Sequence, residues 1–188
     1  MRLSKLNNNS LSDEILATCL QQGDQRAFSL LIERHKDTLY RVIWRHVGHE
    51  DDAYDLVQET FIRLHDKIAQ YNSEYLFKPW LYQIAVNLCR DFLRKKKMRR
   101  FFGLENEAIE IIDEAPSAEQ HLEHKKKYQQ VKSAIEALPF SLKTAFIVFA
   151  VEGRSLVESA ELLGVTPKTI ETRVHRARKI LKERFLQQ

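Results

Sequence analysis

Residues 138–185 read LPFSLKTAFIVFAVEGRSLVESAELLGVTPKTIETRVHRARKILKERF, and this stretch predicts two helices joined by a tight turn. Gly164 marks the turn, because glycine tolerates the positive φ that a close helix–helix corner requires. Thr166 then supplies an N-cap hydroxyl, and Pro167 occupies the first helical position, where a missing N–H is harmless. We therefore predict a helix-turn-helix whose second helix runs from Thr166 to Phe185.

The second helix of this motif has two faces of different character. Its apolar stripe repeats at helical spacing and contains Ile170, Val174, Ala177 and Leu181. A solvated surface helix would also be polar on its other side, but the cap, the proline and the basic outer face together favour contact with a DNA major groove. That outer face contains Lys168, Thr172, His175, Arg176 and Lys179.

The composition of the 188-residue chain predicts an all-α protein of one or two domains, since it has only five glycines and four prolines. Two isolated cysteines, Cys19 and Cys89, indicate neither a disulfide framework nor a zinc site. We predict no metal and no cofactor. Four histidines are spaced in pairs for one helix face but have no further ligands near them, and we expect ordinary surface residues at His46, His49, His121 and His124.

The longest apolar run, Ala145–Val151, is far too short to cross a bilayer. No signal-peptide pattern opens the sequence. We therefore expect a soluble, cytoplasmic protein without membrane insertion.

Charge is distributed unevenly along the chain. Residues 1–100 contain 17 basic and 13 acidic side chains (+4), residues 101–124 contain seven acids and no Lys or Arg (−7), and residues 125–188 contain 13 basic and six acidic side chains (+7). This pattern predicts an N-terminal helical domain (1–100), an acidic linker (101–124) and a C-terminal helix-turn-helix domain (125–188). The linker could be a plain solvated spacer, or its carboxylates could imitate phosphates inside a nucleic-acid channel.

Helix start and stop signals divide the chain further. We predict helices at about 13–21, 24–48, 52–68, 79–100, 118–137, 141–151, 155–163 and 166–185.

The residue pattern of the helix at 52–68 is compatible with a protein-docking surface. Its apolar stripe contains Ala53, Leu56, Val57, Thr60, Phe61, Leu64 and Ile68. An acidic row with an aliphatic residue in its middle suits a basic partner helix, although many amphipathic helices are charged outside without any partner. The row contains Asp52, Asp55, Gln58, Glu59, Ile62 and Asp66.

The helix that begins at Pro79 has amides near its start and cations beyond them, an order that suits base contacts followed by phosphate contacts. Its predicted apolar side contains Leu81, Ile84, Ala85, Leu88 and Phe92, and its open face contains Gln83, Asn87, Arg90, Arg94 and Lys97. Upstream lie aromatic residues on which unpaired bases could stack. We expect Tyr75 and Phe77 to be exposed, whereas Trp80 either contacts bases or closes the core.

Three motifs in this order resemble the extracytoplasmic-function (ECF) group of bacterial sigma-70 factors. One motif, DAYDLVQETFIRL (52–64), is similar to the polymerase-binding helix of that family. A second, LFKPWLYQIAVNLCRDFLRKKK (76–97), is similar to its −10-reading segment. Its −35-reading motif is similar to ALPFSLKTAFIVFAVEGRSLVESAELLGVTPKTIETRVHRARKIL (137–181).

The resemblance implies a role for each block. The β′ clamp of core RNA polymerase would be bound by Asp52, Asp55, Gln58, Glu59 and Ile62. The −10 element would be contacted by Tyr75, Phe77, Lys78, Trp80, Gln83, Asn87, Arg90, Arg94 and Lys97. The −35 element would be contacted by Thr166, Lys168, Thr169, Glu171, Thr172, Arg173, His175, Arg176 and Lys179.

Further partners follow from the same resemblance. The C-terminal domain would meet the polymerase β flap, and the linker would pass near the active cleft and the RNA exit path. An anti-sigma factor would restrain the protein and could hold it at the inner membrane. The chain would have no catalytic site, because the polymerase supplies the chemistry.

Four residues depart from the family pattern. Ser159 replaces an aliphatic residue, Glu171 a basic one, His65 a tryptophan, and Pro79 a small polar residue. With a carboxylate at position 171, either one phosphate contact is lost or the carboxylate accepts a hydrogen bond from a cytosine amino group.

Two other functions compete with this interpretation. The C-terminal motif alone would also suit a free-standing transcriptional regulator, although the docking row and the aromatic segment argue against it. A helical enzyme is disfavoured because the sequence contains no nucleophile–base pair, metal-ligand cluster or phosphate loop.

Overall fold

The computed structural model describes residues 11–102 and 129–186, and within them every regular element is helical. Four helices form the N-terminal domain: α1 (Asp13–Gln21), α2 (Gln25–Val47), α3 (Glu50–Lys67), which is followed by a 3₁₀ turn (Ile68–Gln70), and α4 (Phe77–Phe101). The C-terminal domain comprises α5 (described over 129–136), α6 (Phe140–Phe146) with a π-helical turn (Ile147–Val151), α7 (Leu156–Leu163) and α8 (Pro167–Leu186). The all-α prediction is confirmed. The first part of the helix predicted at 118–137 lies outside the described residues.

Local capping interactions define most helix ends where the sequence predicts them. The Asp24 carboxylate accepts from the backbone N–H of Arg26 at 3.0 Å and starts α2. Ser155 and Glu158 form a reciprocal capping box that starts α7. At the other ends, Gly48 closes α2 with a φ of 73° and Gly164 closes α7 with a φ of 61°, a region where only glycine is unstrained.

The predicted start of α4 at Pro79 is wrong by two residues. The helix begins at Phe77, whose backbone N–H donates to Glu14 Oε1 of α1 at 3.1 Å. Pro79 therefore lies inside the first turn, where an N–H would have no intrahelical partner. A contact between distant parts of the chain, absent from any local pattern, sets this helix end.

The N-terminal domain is held together by an apolar core and by polar links from α1. Asp13 pairs with Arg34 at 2.9 Å and with His35 at 2.8 Å, which joins α1 to α2. Leu16, Leu31, Leu39, Ile43, Leu64 and Leu81 are fully buried between the four helices. These contacts hold α3 and α4 at fixed positions and leave one side of each helix open.

The helix-turn-helix of the C-terminal domain closes around small residues. The carbonyl oxygen of Ala160 accepts a hydrogen bond from the backbone N–H of Val165 at 3.0 Å, and this bond brings the end of α7 against the start of α8. Thr166 Oγ1 accepts from the N–H of Thr169 at 3.2 Å, as the predicted N-cap. Ile170, Val174 and Ala177 are buried and Leu181 is half-buried, so the predicted apolar stripe is confirmed.

Ser159 places a polar group in the core of the C-terminal domain. Its side chain is fully buried, and its hydroxyl has no hydrogen-bond partner among the described residues. An unsatisfied buried hydroxyl destabilises the folded state, whereas an apolar replacement of similar shape does not. We expect Ser159→Ala to raise the free energy of unfolding of the C-terminal domain by about 1 kcal/mol, measured by urea denaturation. Unchanged or lower stability would contradict this expectation.

Candidate nucleic-acid and protein interfaces

The acidic row of α3 lies on the side of the helix that faces away from the core. All seven residues of the predicted apolar stripe are buried. On the opposite side, Asp55, Gln58 and Ile62 are exposed, and Ile62 keeps 55% of its surface open to solvent. An exposed isoleucine between polar neighbours offers apolar area to a partner, so these three residues form the accessible centre of the row.

The other two residues assigned to polymerase binding already form ion pairs with basic residues of this chain. Asp52 is half-buried and lies 3.4 Å from the ammonium group of Lys96 on α4. Glu59 is half-buried and lies 2.7 Å from Arg63 Nε, one turn further along α3. Their carboxylates flank the centre of the row, with part of their charge offset by these pairs.

Tyr54 is a surface residue of the same face that the sequence analysis missed. It is half exposed, lies one turn before Gln58, and its ring is 4.7 Å from that of Tyr40 on α2. The available signal was its spacing of four residues from Gln58, which places both side chains on one helix face. The pair Tyr40–Tyr54 extends the row with aromatic surface towards α2.

The prediction that Phe77 is exposed is wrong. Its side chain has 0% exposure and packs among the rings of His35, Tyr71 and Trp80, with centroid distances of 5.9, 5.5 and 6.0 Å. It is buried because the start of α4 docks against α1 and α2. Phe77 therefore cannot stack on a base in this structure, and it positions Trp80 instead.

The remaining aromatic residues beside α4 differ in access. Tyr75 is 70% exposed, in agreement with the prediction. Trp80 is half-buried and lies against the Tyr71 ring at 5.1 Å, so it both packs on the core and stays partly accessible. Lys78 between them is half-buried. The surface available for an unpaired base is thus the Tyr75 ring with the accessible part of Trp80.

The open face of α4 has the predicted composition. All five of its assigned residues are exposed: Gln83, Asn87, Arg90, Arg94 and Lys97. The side-chain amide of Gln83 donates to Asn87 Oδ1 at 3.2 Å, which aligns two amides one turn apart. The Arg90 guanidinium lies over the Phe140 ring of α6, 4.9 Å from its centroid. One end of this face therefore meets the C-terminal domain.

The outer face of α8 presents cations beside small hydroxyls. Five of the assigned residues and the cap are exposed: Thr166, Lys168, Glu171, His175, Arg176 and Lys179. Thr169, Thr172 and Arg173 are half-buried. Glu171 accepts from Lys168 Nζ at 2.8 Å, and this hydrogen bond holds the pKa of the carboxyl below its usual value. The departure at position 171 therefore offsets a cation within the face itself.

The expectation that His46 is a surface residue is wrong. It is buried at the end of α2, with Nδ1 2.7 Å from the Val42 carbonyl and Nε2 3.0 Å from Thr144 Oγ1 of α6. A carbonyl only accepts, so Nδ1 holds the proton of the neutral ring. The single hydroxyl proton of Thr144 lies within reach of both Nε2 and the Phe140 carbonyl, which is 2.9 Å from Oγ1. Burial is the largest cause of the low pKa of His46, which is about 4; the ammonium group of Lys143 acts in the same direction, and the hydrogen bond to the Val42 carbonyl opposes both.

His46 should therefore make stability fall in mild acid. Between pH 6.5 and about 4 the unfolded chain binds a proton at this position while the folded chain does not. We expect a loss of roughly 2 kcal/mol in the free energy of unfolding from pH 8 to pH 5, measured by urea denaturation. In His46→Gln the loss should be smaller by that amount. Equal losses in both proteins would contradict the assignment.

The other described histidines and both cysteines show no sign of a metal site. His49 is exposed, and His121 and His124 lie outside the described residues. Cys19 and Cys89 are buried free thiols, and burial raises the pKa of Cys89 to about 12. Among the described residues no group of three or more His, Cys, Asp or Glu side chains is placed to hold a metal ion. Likewise, no helix in residues 11–102 or 129–186 is long and apolar enough to cross a bilayer.

Comparisons with known proteins match both halves of the chain. The family profile of sigma-70 region 2 matches residues 31–99, and that of sigma-70 region 4 matches residues 128–181. The RNA polymerase sigma factor NccH of Alcaligenes xylosoxydans xylosoxydans is 33% identical, with 88% of this chain and 90% of NccH covered. The ECF RNA polymerase sigma factor SigW of Bacillus subtilis is 30% identical, with 88% of this chain and 92% of SigW covered.

Two solved structures share this fold. CnrH in complex with the cytosolic domain of CnrY is 26% identical, with a TM-score of 0.62 and coverage of 91% of this chain and 95% of CnrH. The sigma factor RpoE of Bartonella quintana, in complex with the anti-sigma factor NepR, is 25% identical, with a TM-score of 0.56 and coverage of 84% and 96%.

Proposed function

Because the chain belongs to the ECF group of bacterial sigma-70 factors, we propose that three of its surfaces divide the work of promoter recognition. As a sigma factor it binds core RNA polymerase, recognises promoters and directs −10 melting and the start of transcription. Sigma factors are not enzymes, and the polymerase performs the catalysis. The proposal assigns these steps to particular side chains.

The acidic row of α3 is proposed to bind the β′ clamp. Asp55, Gln58 and Ile62 would make the central contacts, because they are exposed in one continuous stripe. Asp52 and Glu59 would flank them, since a carboxylate in a local ion pair can still attract a second cation. Coulomb attraction orients the encounter, and the apolar area of Ile62 contributes affinity.

The face of α4 is proposed to read the −10 element. Tyr75 and the accessible part of the Trp80 ring would stack on unpaired bases, and Lys78 would contact the adjoining backbone. Amides at Gln83 and Asn87 would contact base edges, while phosphates would be contacted by Arg90, Arg94 and Lys97. Phe77 is withdrawn from this set, because its ring is fully buried.

The face of α8 is proposed to read the −35 element in the major groove. Basic residues there would contact phosphates, and the hydroxyls and His175 would reach base edges or bridging waters. The observation that supports the whole proposal best is the presence of two separate basic faces and one acidic–aliphatic row in a single small chain. A free-standing regulator would need only α8.

Domain boundaries and further partners belong to the same proposal. The N-terminal domain would span residues 1–100, the linker 101–124 and the C-terminal domain 125–188, which would meet the β flap. RpoE of Bartonella quintana was solved with an anti-sigma factor, and we propose such a partner for this chain. We place the protein in the bacterial cytoplasm, where the polymerase and the chromosome are.

One experiment tests this function directly. The full chain is mixed with bacterial core RNA polymerase, and the complex is isolated by gel filtration. Transcription from fragments of a bacterial genome is then sequenced from the 5′ ends. New start sites that depend on the added chain support the proposal. Absence of both co-elution and new start sites would refute it, and tight binding of one duplex by the free chain would favour the regulator.

A further inference from the structure

Glu171 is an acidic residue on the otherwise basic outer face of α8. It lies in the second turn of this helix and is exposed, whereas its neighbour Ile170 is fully buried in the core of the C-terminal domain. In a helix-turn-helix, the N-terminal part of the second helix enters the major groove and contacts base edges. The backbone at position 171 is therefore held at the part of α8 that comes closest to bases.

A hydrogen bond joins the Glu171 carboxylate to the first turn of the same helix. Lys168 Nζ donates to Glu171 Oε2 at 2.8 Å, and the two side chains keep 81% and 55% of their surface open to solvent. Within the described part of the chain, Oε1 of Glu171 and the remaining ammonium protons of Lys168 have no hydrogen-bond partner. The pair therefore offers one acceptor beside several donors on a single exposed patch.

The charge state of the Glu171 carboxyl limits what it can bind. The hydrogen bond from Lys168, the charge of Lys168 and the nearby His175 all lower the pKa of this carboxyl, so it is ionised at neutral pH. An ionised carboxylate accepts hydrogen bonds and donates none. Phosphate oxygens are negative acceptors as well and repel it, whereas the amino groups of cytosine and adenine in the major groove are donors. Glu171 is therefore suited to a base edge and not to the backbone.

The order of donor and acceptor in the pair matches the edge of a G·C base pair. In the major groove, guanine presents two acceptors, N7 and O6, directly beside the N4 amino group of cytosine. Lys168 can donate to the guanine acceptors while Glu171 Oε1 accepts from the cytosine amino group. An A·T pair also has one amino group, but an acceptor flanks it on each side and the thymine methyl group lies beyond. Those acceptors would repel a carboxylate placed at the adenine amino group.

The simplest alternative is an ion pair that only stabilises the helix. Lysine and glutamate three or four residues apart often form such pairs on solvated helix faces. A second pair of this kind exists on α8, where Lys179 Nζ lies 4.0 Å from Glu183 Oε1. The two glutamates differ in position, because Glu171 lies near the start of the helix and Glu183 near its end. Glu183 therefore serves as the control for a purely helix-stabilising role.

The pair adds little to general affinity for DNA. The charges of Lys168 and Glu171 cancel, and affinity that does not depend on sequence comes from cations that displace counterions from phosphates. A face that served affinity alone would gain more from a second cation at position 171. The chemistry of the pair therefore favours discrimination between sequences.

We propose that Lys168 and Glu171 together read one G·C pair of the −35 element, with Lys168 on guanine and Glu171 on the amino group of the paired cytosine. Lys168 then belongs with the base contacts of α8 and not with its phosphate contacts. The inference rests on the proposed function of α8, and it names a base pair that this face selects.

Selection from a promoter library tests the inference. The −35 region of a promoter is randomised, holoenzyme formed with the full chain binds the library, and the retained DNA is sequenced. With the wild type we expect one position to select G·C, in one orientation, about tenfold over the other base pairs. Glu171→Ala should lose this preference and keep the preferences at other positions. Glu183→Ala removes the same group near the end of α8 and should keep all of them.

Base analogues at the selected position identify the atoms involved. N4-methylcytosine places a methyl group where the amino proton faces the major groove, and it should weaken binding by the wild type but not by Glu171→Ala. Guanine without N7 (7-deazaguanine) should weaken binding by the wild type more than binding by Lys168→Ala. Inosine in place of guanine keeps every major-groove group and should leave binding unchanged.

The outcomes separate this inference from the proposed function. An unchanged preference in Glu171→Ala, or selection of A·T at this position, would overturn the inference. So would an equal gain in affinity for all sequences in Glu171→Ala, because the carboxylate would then merely repel the backbone. In these cases the wild type still binds polymerase and selects a −35 sequence, so the function stands. A wild type that selects no −35 sequence would overturn the assignment of α8 and this inference with it.

Discussion

Asp55→Arg is expected to raise the dissociation constant of the chain for core polymerase at least a hundredfold, a change of about 3 kcal/mol. The side chain is exposed in the centre of the acidic row, so the substitution places a cation where the proposed basic clamp lies. Like charges brought together across an interface cost several kcal/mol. Arginine is a good helix former, and α3 should therefore remain folded.

A matched variant separates this effect from a general change in charge. Glu33→Arg makes the same change at an exposed position of α2 that is not part of the row, and it should leave the dissociation constant within about twofold, in the range of ordinary surface substitutions. Binding is measured by fluorescence anisotropy of the labelled chain titrated with core polymerase. Near wild-type binding by Asp55→Arg, or an equal loss in Glu33→Arg, would remove the acidic row from the interface.

Several helix ends could be predicted from the sequence because their signals are local. Ser12, Asp24 and Ser155 accept from backbone N–H groups two or three residues away, so the cap and its partner lie within one short stretch of sequence. Gly48 and Gly164 adopt the left-handed conformation that few other residues tolerate. The apolar stripes of α3 and α8 follow from the helical repeat alone.

Burial that depends on distant segments could not be predicted in this way. Phe77 and Tyr75 are two aromatic residues in one short segment, yet one is enclosed and the other is open. The difference arises because Glu14, far away in the sequence, anchors the start of α4. His46 was expected at the surface because the sequence offers no further metal ligands near it, yet it is buried at the end of α2, where Thr144 and Lys143 of the other domain contact it.

The relative positions of the surfaces could not be predicted from the sequence either. Sequence periodicity correctly placed Gln83, Asn87 and Arg90 on the open side of α4. It contained no information that Phe140 would lie against Arg90, because the two residues belong to separate helical patterns. Whether an exposed face is also accessible depends on how the domains pack, and the contacts between the domains, such as the ion pair of Arg45 with Glu152, join residues that are far apart in the sequence.

Arg176→Ala is expected to weaken promoter binding by the holoenzyme about tenfold and to reduce the slope of log affinity against log salt by about one. Arg176 is exposed on the outer face of α8, where a guanidinium can neutralise one phosphate and release its counterions. A phosphate contact has no sequence information, so the loss should be similar on every promoter that the holoenzyme uses.

Two comparisons test that assignment. Arg184→Ala removes the same group from an exposed position two turns further along α8 and should change promoter affinity and salt slope little. Affinity for core polymerase should stay unchanged in both variants, because the docking row lies on α3. Binding is measured by filter retention of promoter DNA at four salt concentrations. If the slope stays at its wild-type value while discrimination between promoters changes, Arg176 contacts a base edge; if neither changes, α8 approaches DNA through another side.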